Sequence, residues 1–257
     1  MFIALGCIAG TLAGLLGIGG GILIVPGLCF IFTFMRFPAE NAMHMAAATS
    51  LCIMICTTAS SSWSYHKLGN ITWPIFKKML PGILFGVIIG TTAAHFLHSK
   101  WLSLAFGIYL LLAALKMLFK FAPKNENGKL PRKLILAPLS AIFGFISGLL
   151  GVGAGSTCVP YLLYCGIEMK KVAGTTGALT LPVAIIGTIS VAALGSASIS
   201  MPMTSGYIYW PAFLAMAPAT VICAQVGAKL ANHLPASLLK RIFAVLLLFL
   251  AAKMLWI

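Results

Sequence analysis

Gly10–Pro26, GTLAGLLGIGGGILIVP, decides how the rest of the chain is read, because it occurs twice. It returns as Gly144–Pro160, GFISGLLGVGAGSTCVP, with nine of 17 aligned positions identical. In each copy an apolar run is interrupted by a glycine cluster and then resumes into Val-Pro. A helix broken inside a bilayer frees backbone polar groups, so the break persists only where protein or a bound group satisfies them.

Around these copies lies a chain of 257 residues, 61% hydrophobic and 8% charged, without a single aspartate. That composition excludes a soluble domain and describes a polytopic helical membrane protein. Its apolar segments fall near 2–16, 22–35, 41–63, 75–97, 101–119, 134–150, 156–165, 172–194, 208–231 and 238–257. The N-terminal MFIALG has no basic flank and reads as part of the first membrane segment. The net charge of +14 sits mostly in short loops, where it writes topology; no nucleic-acid partner is expected. Seven cysteines lie in apolar segments with no C-x-x-C pair and no His/Cys spacing suited to zinc. They read as packing residues, with no metal and no cofactor expected.

The repeat extends beyond the glycine stretch. Ala46–Thr49 lines up with Ala173–Thr176, Ile71–Pro74 with Ile208–Pro211, Pro81 with Pro218, and Ala114–Leu118 with Ala251–Leu255. Residues 120–133, KFAPKNENGKLPRK, form the one polar linker and divide the chain into repeats 1–119 and 134–257.

Charge distinguishes two geometries. If each glycine stretch crosses the membrane once, basic residues divide 10 to 7 between the faces. If each is a hairpin returning to its own side, the division is 14 to 3, with only Arg36, Lys100 and Lys253 on the minority face. The positive-inside rule favours the second. The expected fold is therefore an all-α polytopic membrane protein with about eight transmembrane segments, or eight to ten counting half-helices. They form two inverted repeats, each with a glycine-broken first segment. The N-terminus and the 195–205 loop are expected outside and the 120–133 linker in the cytoplasm.

The chemistry is that of an anion site. The carboxylates are Glu40, Glu126 and Glu168 only, none of them in mid-membrane, which argues against a cation carrier. A half-helix restarting at mid-depth presents unpaired N–H groups and the positive end of its dipole. Gly17, Gly19, Gly20 and Gly21 lead into one such half-helix, and Gly151, Gly153 and Gly155 into the other. Hydroxyls at Thr49, Ser50, Ser156, Thr157, Thr175 and Thr176 can bind an oxyanion without a buried cation. Gly10, Gly14, Gly144 and Gly148 have the spacing of close helix packing instead. His44, His66, His95, His98 and His233 fall near segment ends and read as structural or interfacial. No convergent set of His, Cys and carboxylates suggests an enzyme.

The duplicated A-G-x-x-x-G-L-x-G-x-G-G-G-x-x-x-V-P stretch at Ala9–Pro26, together with Ala-x-x-Thr-Ser at Ala46–Ser50, resembles the TauE/SafE sulfite-exporter family of membrane permeases. The resemblance covers the whole chain in two copies. In the second copy Ala154 replaces the middle glycine, and Gly177 takes the place of Ser50. The resemblance implies a multi-pass protein of the bacterial cytoplasmic membrane that transports small sulfur-containing or organic anions such as sulfite and sulfoacetate. The expected partners are that anion and the lipid bilayer; proton coupling and homo-oligomerisation are both compatible with the sequence. A channel with a fixed pore and a membrane scaffold are the alternatives.

Overall fold

A computed structural model describes residues 1–118, 133–195 and 203–231, and near the C-terminus 245, 248–252 and 254. The chain is an all-α polytopic membrane protein. Its helices are α1 Phe2–Leu16, α2 Gly21–Phe34, α3 Ala39–Lys67, α4 Trp73–Phe96, α5 Ser99–Leu118, α6 Lys133–Leu150, α7 Ala154–Tyr164, α8 Met169–Gly195 and α9 Trp210–Ala231. Among the described residues the exception to the helical pattern is a small antiparallel pair, β1 Thr204–Ser205 with β2 Ile208–Tyr209, just before α9. Residues 120–132 of the expected linker and most of the 238–257 segment lie outside the described residues.

Local chemistry explains the boundaries. Pro38 precedes α3, Glu40 stands in its first turn and His66 and Lys67 in its last, so charge complements the helix dipole at both ends. α4 and α9 both open on Trp-Pro, where the missing proline N–H costs no helical bond. Glu168 sits directly before α8 and pairs with Lys171 at 3.9 Å, both exposed.

Among the described residues four helices are long and apolar enough to cross a bilayer: Glu40–Lys67, Trp73–Phe96, Met169–Gly195 and Trp210–Leu230. α3 is the central one, with 78% of its apolar window buried against 39% for each of the others. Phe85, Ile88, Ile89, Leu104, Ile108, Ile142, Ile189, Leu214 and Ile222 are exposed, which suits a surface solvated by lipid.

Glycine stripes bind the two halves together. Gly82, Gly86 and Gly90 of α4 lie on the backbone of α6, and Gly144 and Gly148 of α6 on that of α4. Gly10 and Gly14 of α1 meet α9 in the same way, and Gly227 of α9 meets α1. Each repeat thus packs its first helix on a long helix of the other, α6 on α4 and α1 on α9. A Cβ at these positions would overlap a facing carbonyl, so only glycine allows the approach.

α1 and α2 fold back on each other. Gly27 abuts the Leu5 side chain, and Gly20 faces Ala13 and the Ala9 carbonyl. Along a straight broken helix Leu5 and Gly27 would be about 33 Å apart. In the second half Ser147 Oγ lies 3.3 Å from Thr157 Oγ1, and the Phe143 and Tyr161 rings are 5.4 Å apart. Both pairs are antiparallel.

Candidate functional site

Each hairpin turns on left-handed glycines. Gly17, Gly19 and Gly20 have φ of 66°, 80° and 84°, and Gly151 has 67°. Other residues would be strained at these angles. The turns leave the half-helices α2 and α7 starting deep among buried residues. Pro26 and Pro160 then remove one internal hydrogen bond from each half-helix at equivalent positions.

The two turns lie on one another. A Cβ on Gly155 would come 2.5 Å from the Gly17 carbonyl oxygen, and one on Gly153 2.5 Å from that of Ile18. In exchange, a Cβ on Gly21 would meet Val152 Cα at 3.0 Å and the Gly151 carbonyl oxygen at 3.1 Å. Equivalent residues of the two halves make reciprocal contacts, the signature of a two-fold relation. Each turn also rests on the long third helix of the opposite half: Gly17 on Ala173 of α8, Gly151 on Ala47 of α3.

These contacts correct the alignment of the halves by one residue. Thr49 Oγ1 accepts the Tyr209 N–H at 3.0 Å, and Thr175 Oγ1 accepts the Thr72 N–H at 2.9 Å. Thr72 and Tyr209 are counterparts, each just before Trp-Pro, so Thr49 corresponds to Thr175 rather than Thr176. Ser50 then corresponds to Thr176, not Gly177, and Met54 to Thr180. The hydroxyls of Thr49 and Thr175 fix the entry to α9 and α4 instead of facing the turns.

In the second half the next residue along faces the opposite turn. Thr176 donates to the Gly17 carbonyl at 3.2 Å and to Val172 at 2.8 Å. Ser50 contacts the Met54 sulfur at 3.7 Å. Ser156 donates back to the Gly153 carbonyl at 2.8 Å, and Thr157 to the Ala154 carbonyl at 3.1 Å.

The two half-helix starts differ in their capping. In α7 the Gly155 N–H donates to Thr180 Oγ1 at 3.1 Å, and Thr180 in turn donates to the Thr176 carbonyl. In α2 the equivalent Gly21 faces the Met54 sulfur, and the cap position Gly20 has no side-chain bond. The first helical bonds there are those of Leu23 and Ile24 to the Gly20 carbonyl. Gly20, Gly21 and Ile22 therefore keep free N–H groups among the described residues. Tyr65, fully buried, donates to the Gly14 carbonyl at 2.6 Å.

Sequence reasoning missed Met54, Tyr65, Tyr109 and Thr180. Thr180 was findable, since it lies one helical turn after Thr176. Tyr109 of α5 faces Ser156 in the first turn of α7, and its buried hydroxyl makes no hydrogen bond of good geometry among the described residues. No group of three His, Cys, Asp or Glu side chains among the described residues could hold a metal. Around the turns the available chemistry is N–H donors, hydroxyls and a thioether.

The family model for sulfite exporter TauE/SafE matches residues 2–254. A Haemophilus influenzae protein named a probable membrane transporter is 32% identical over 255 residues, covering 97% of this chain and 95% of its own. A probable membrane transporter of Bacillus subtilis is 26% identical, covering 100% of this chain and 97% of its own. One from Methanocaldococcus jannaschii is 30% identical over 90% of this chain and 85% of its own. No solved structure matches the chain.

Proposed function

The chain is a membrane transporter of the sulfite exporter TauE/SafE family, and we propose that it carries small anions, sulfur oxyanions or organosulfonates of the sulfite and sulfoacetate kind. The observation that carries this reading is the meeting of two helix starts at the turns, each with unpaired N–H groups (Gly20, Gly21 and Ile22 on one, Gly153 and Ala154 on the other), with no carboxylate among the described residues around them. Such donors and the dipole behind them stabilise negative charge. Serine, threonine and Tyr109 hydroxyls supply neutral donors for the remaining oxygens.

In this reading the halves are inverted repeats in a bacterial inner membrane, with the 120–133 linker cytoplasmic. They rock about the turns to expose the anion alternately to the two sides, and they perform no enzymatic chemistry. The contact of Gly155 with Gly17 and Ile18 leaves no room for a side chain, which supports an occluded carrier over a fixed pore.

The test is thermal unfolding of the purified chain with sulfite, thiosulfate, sulfoacetate and matched carboxylates. A carried anion raises the melting temperature through mass action, by about 2.7 kcal/mol of stabilisation at a hundred times its Kd. Stabilisation by none of them, with no uptake of radiolabelled sulfoacetate or thiosulfate by proteoliposomes, would discard the reading.

A further inference from the structure

A second polar cluster lies away from the turns. His44 of α3, His95 of α4 and Tyr207, between β1 and β2, line one cavity with Thr91, Ala47 and Gly148. The His44 and Tyr207 rings stack with centroids 5.3 Å apart, and the Tyr207 hydroxyl is 3.4 Å from His95 Nδ1. The cavity approaches the second turn, because Ala47 forms its wall and also bears on Gly151.

His44 is the unusual member. Its Nε2 lies 3.0 Å from the Ala94 carbonyl oxygen, which can only accept, so Nε2 carries a hydrogen. In the neutral ring Nδ1 is then a bare lone pair, and it is buried with no partner among the described residues. Native proteins rarely leave a buried acceptor unpaired. His95 differs in that its Nδ1 already has the Tyr207 hydroxyl.

The groups facing His44 determine what protonation would do. α4 contributes Thr91 and His95 and the strand turn Tyr207, the backbone carbonyls of Glu40, Ala94 and Leu97 also face the ring, and α6 and α8 contribute only apolar residues to the cavity. Glu40, one turn earlier on α3, is exposed, as are His98 and Lys100 where α5 begins. No carboxylate lines the cavity, so an imidazolium there would be a cation without a counter-ion. An anion entering the cavity supplies one. Proton and anion then favour each other's binding by the same factor.

We propose that His44 is the proton-binding group of this transporter, taking at Nδ1 the proton that travels with the anion through the cavity toward Gly151. This rests on the anion-carrier reading. The step is a proton transfer alone: hydronium gives its proton to Nδ1, an N–H bond forms, and that bond breaks when water on the far side takes the proton back.

The test uses the full chain in proteoliposomes holding a pH dye, with radiolabelled sulfoacetate outside. Wild type should accumulate sulfoacetate at least tenfold faster under an inward acid step, with protons entering alongside. In H44Q the acid step should change the rate less than twofold; an undiminished response would overturn the proposal. Nitrogen-15 histidine NMR of the full chain in nanodiscs reads Nδ1 directly, with His44 assigned by its loss in H44Q. Protonation of Nδ1 as pH falls, and at higher pH once sulfoacetate is added, is the expected result. A bare Nδ1 across about pH 5–8, with or without sulfoacetate, refutes it. A chain that carries no anion yet protonates Nδ1 would defeat the anion reading and leave the proton site standing.

Discussion

Gly155→Ala is the sharpest perturbation of the paired turns. The added methyl would sit 2.5 Å from the Gly17 carbonyl oxygen, where ordinary contact begins at 3.4 Å. Both neighbours are backbone, so no flexible side chain can yield, and the turns must part by about 1 Å to restore van der Waals distance. Overpacking of this kind costs about 1–3 kcal/mol. That corresponds to a factor of about 5–150 against the closed arrangement, and to a melting temperature lower by about 2–12 °C for a chain of this size.

The assay is a melt in detergent followed by thiol labelling, which reads the loss of cover over Cys52 and Cys158, both buried. It is paired with sulfoacetate uptake in proteoliposomes, which should fall about tenfold if the closed arrangement is part of the cycle. Gly69→Ala is the control. Gly69 has φ of 67° with nothing within 4 Å of an added Cβ, so only backbone strain is introduced there. That strain costs about 1–2 kcal/mol, and uptake should be unchanged. Wild-type melting and uptake in Gly155→Ala would refute the mutual contact of the turns.

Three further outcomes follow from the hydrogen bonds. Thr180→Val leaves the Gly155 N–H without its acceptor and should destabilise the chain by about 1–3 kcal/mol, read as a lower melting temperature. Thr49→Val and Thr175→Val should each lower the melting temperature by removing the acceptor for Tyr209 or Thr72, while the Kd for sulfoacetate stays within about twofold. Tyr109→Phe removes a hydroxyl that makes no hydrogen bond of good geometry, so the free chain should be as stable as wild type or more so. Its sulfoacetate affinity should fall by about 0.5–1.5 kcal/mol, measured by the shift in melting temperature with ligand.

Much of this fold is legible in the sequence because glycine and proline report on backbone directly. The duplicated clusters mark two chain reversals, and the basic residues favour hairpins over broken spans. Gly10, Gly14, Gly144 and Gly148 are helix-packing residues, as their spacing suggests. Side-chain direction is harder to read. Thr49 and Ser50 are adjacent on α3, about 100° apart around the axis, so one serves the α9 entry and the other bonds along its own helix to Met54. Aligning the halves on residue identity matched threonine to threonine and slipped by one position. The bonds to Thr72 and Tyr209 fix the register, and the contacts of Gly17 with Ala173 and of Gly151 with Ala47 agree with it. Tyr65 and Tyr109 come from distant segments, and nothing local in the sequence connects them to the turns.

The corrected register gives the two turns different chemistry. It pairs Met54 with Thr180, a thioether with a hydroxyl, at the same place beneath the two half-helices. Thr180 occupies one N–H of α7, whereas Met54 leaves its counterpart at Gly21 free, because a thioether is only a weak acceptor. A long, flexible side chain under Gly21 can also move aside, whereas a β-branched threonine bonded to the turn above it is held. Under the anion reading, the first turn then supplies one more empty donor and the yielding floor, and the second supplies a fixed wall. Exchanging the two residues, Met54→Thr with Thr180→Met, tests that division. It should move the free donors from Gly21 to Gly155 and preserve sulfoacetate binding better than Met54→Thr alone, which caps both turns. If Met54→Thr by itself binds sulfoacetate as wild type does, the free N–H at Gly21 is not part of the site.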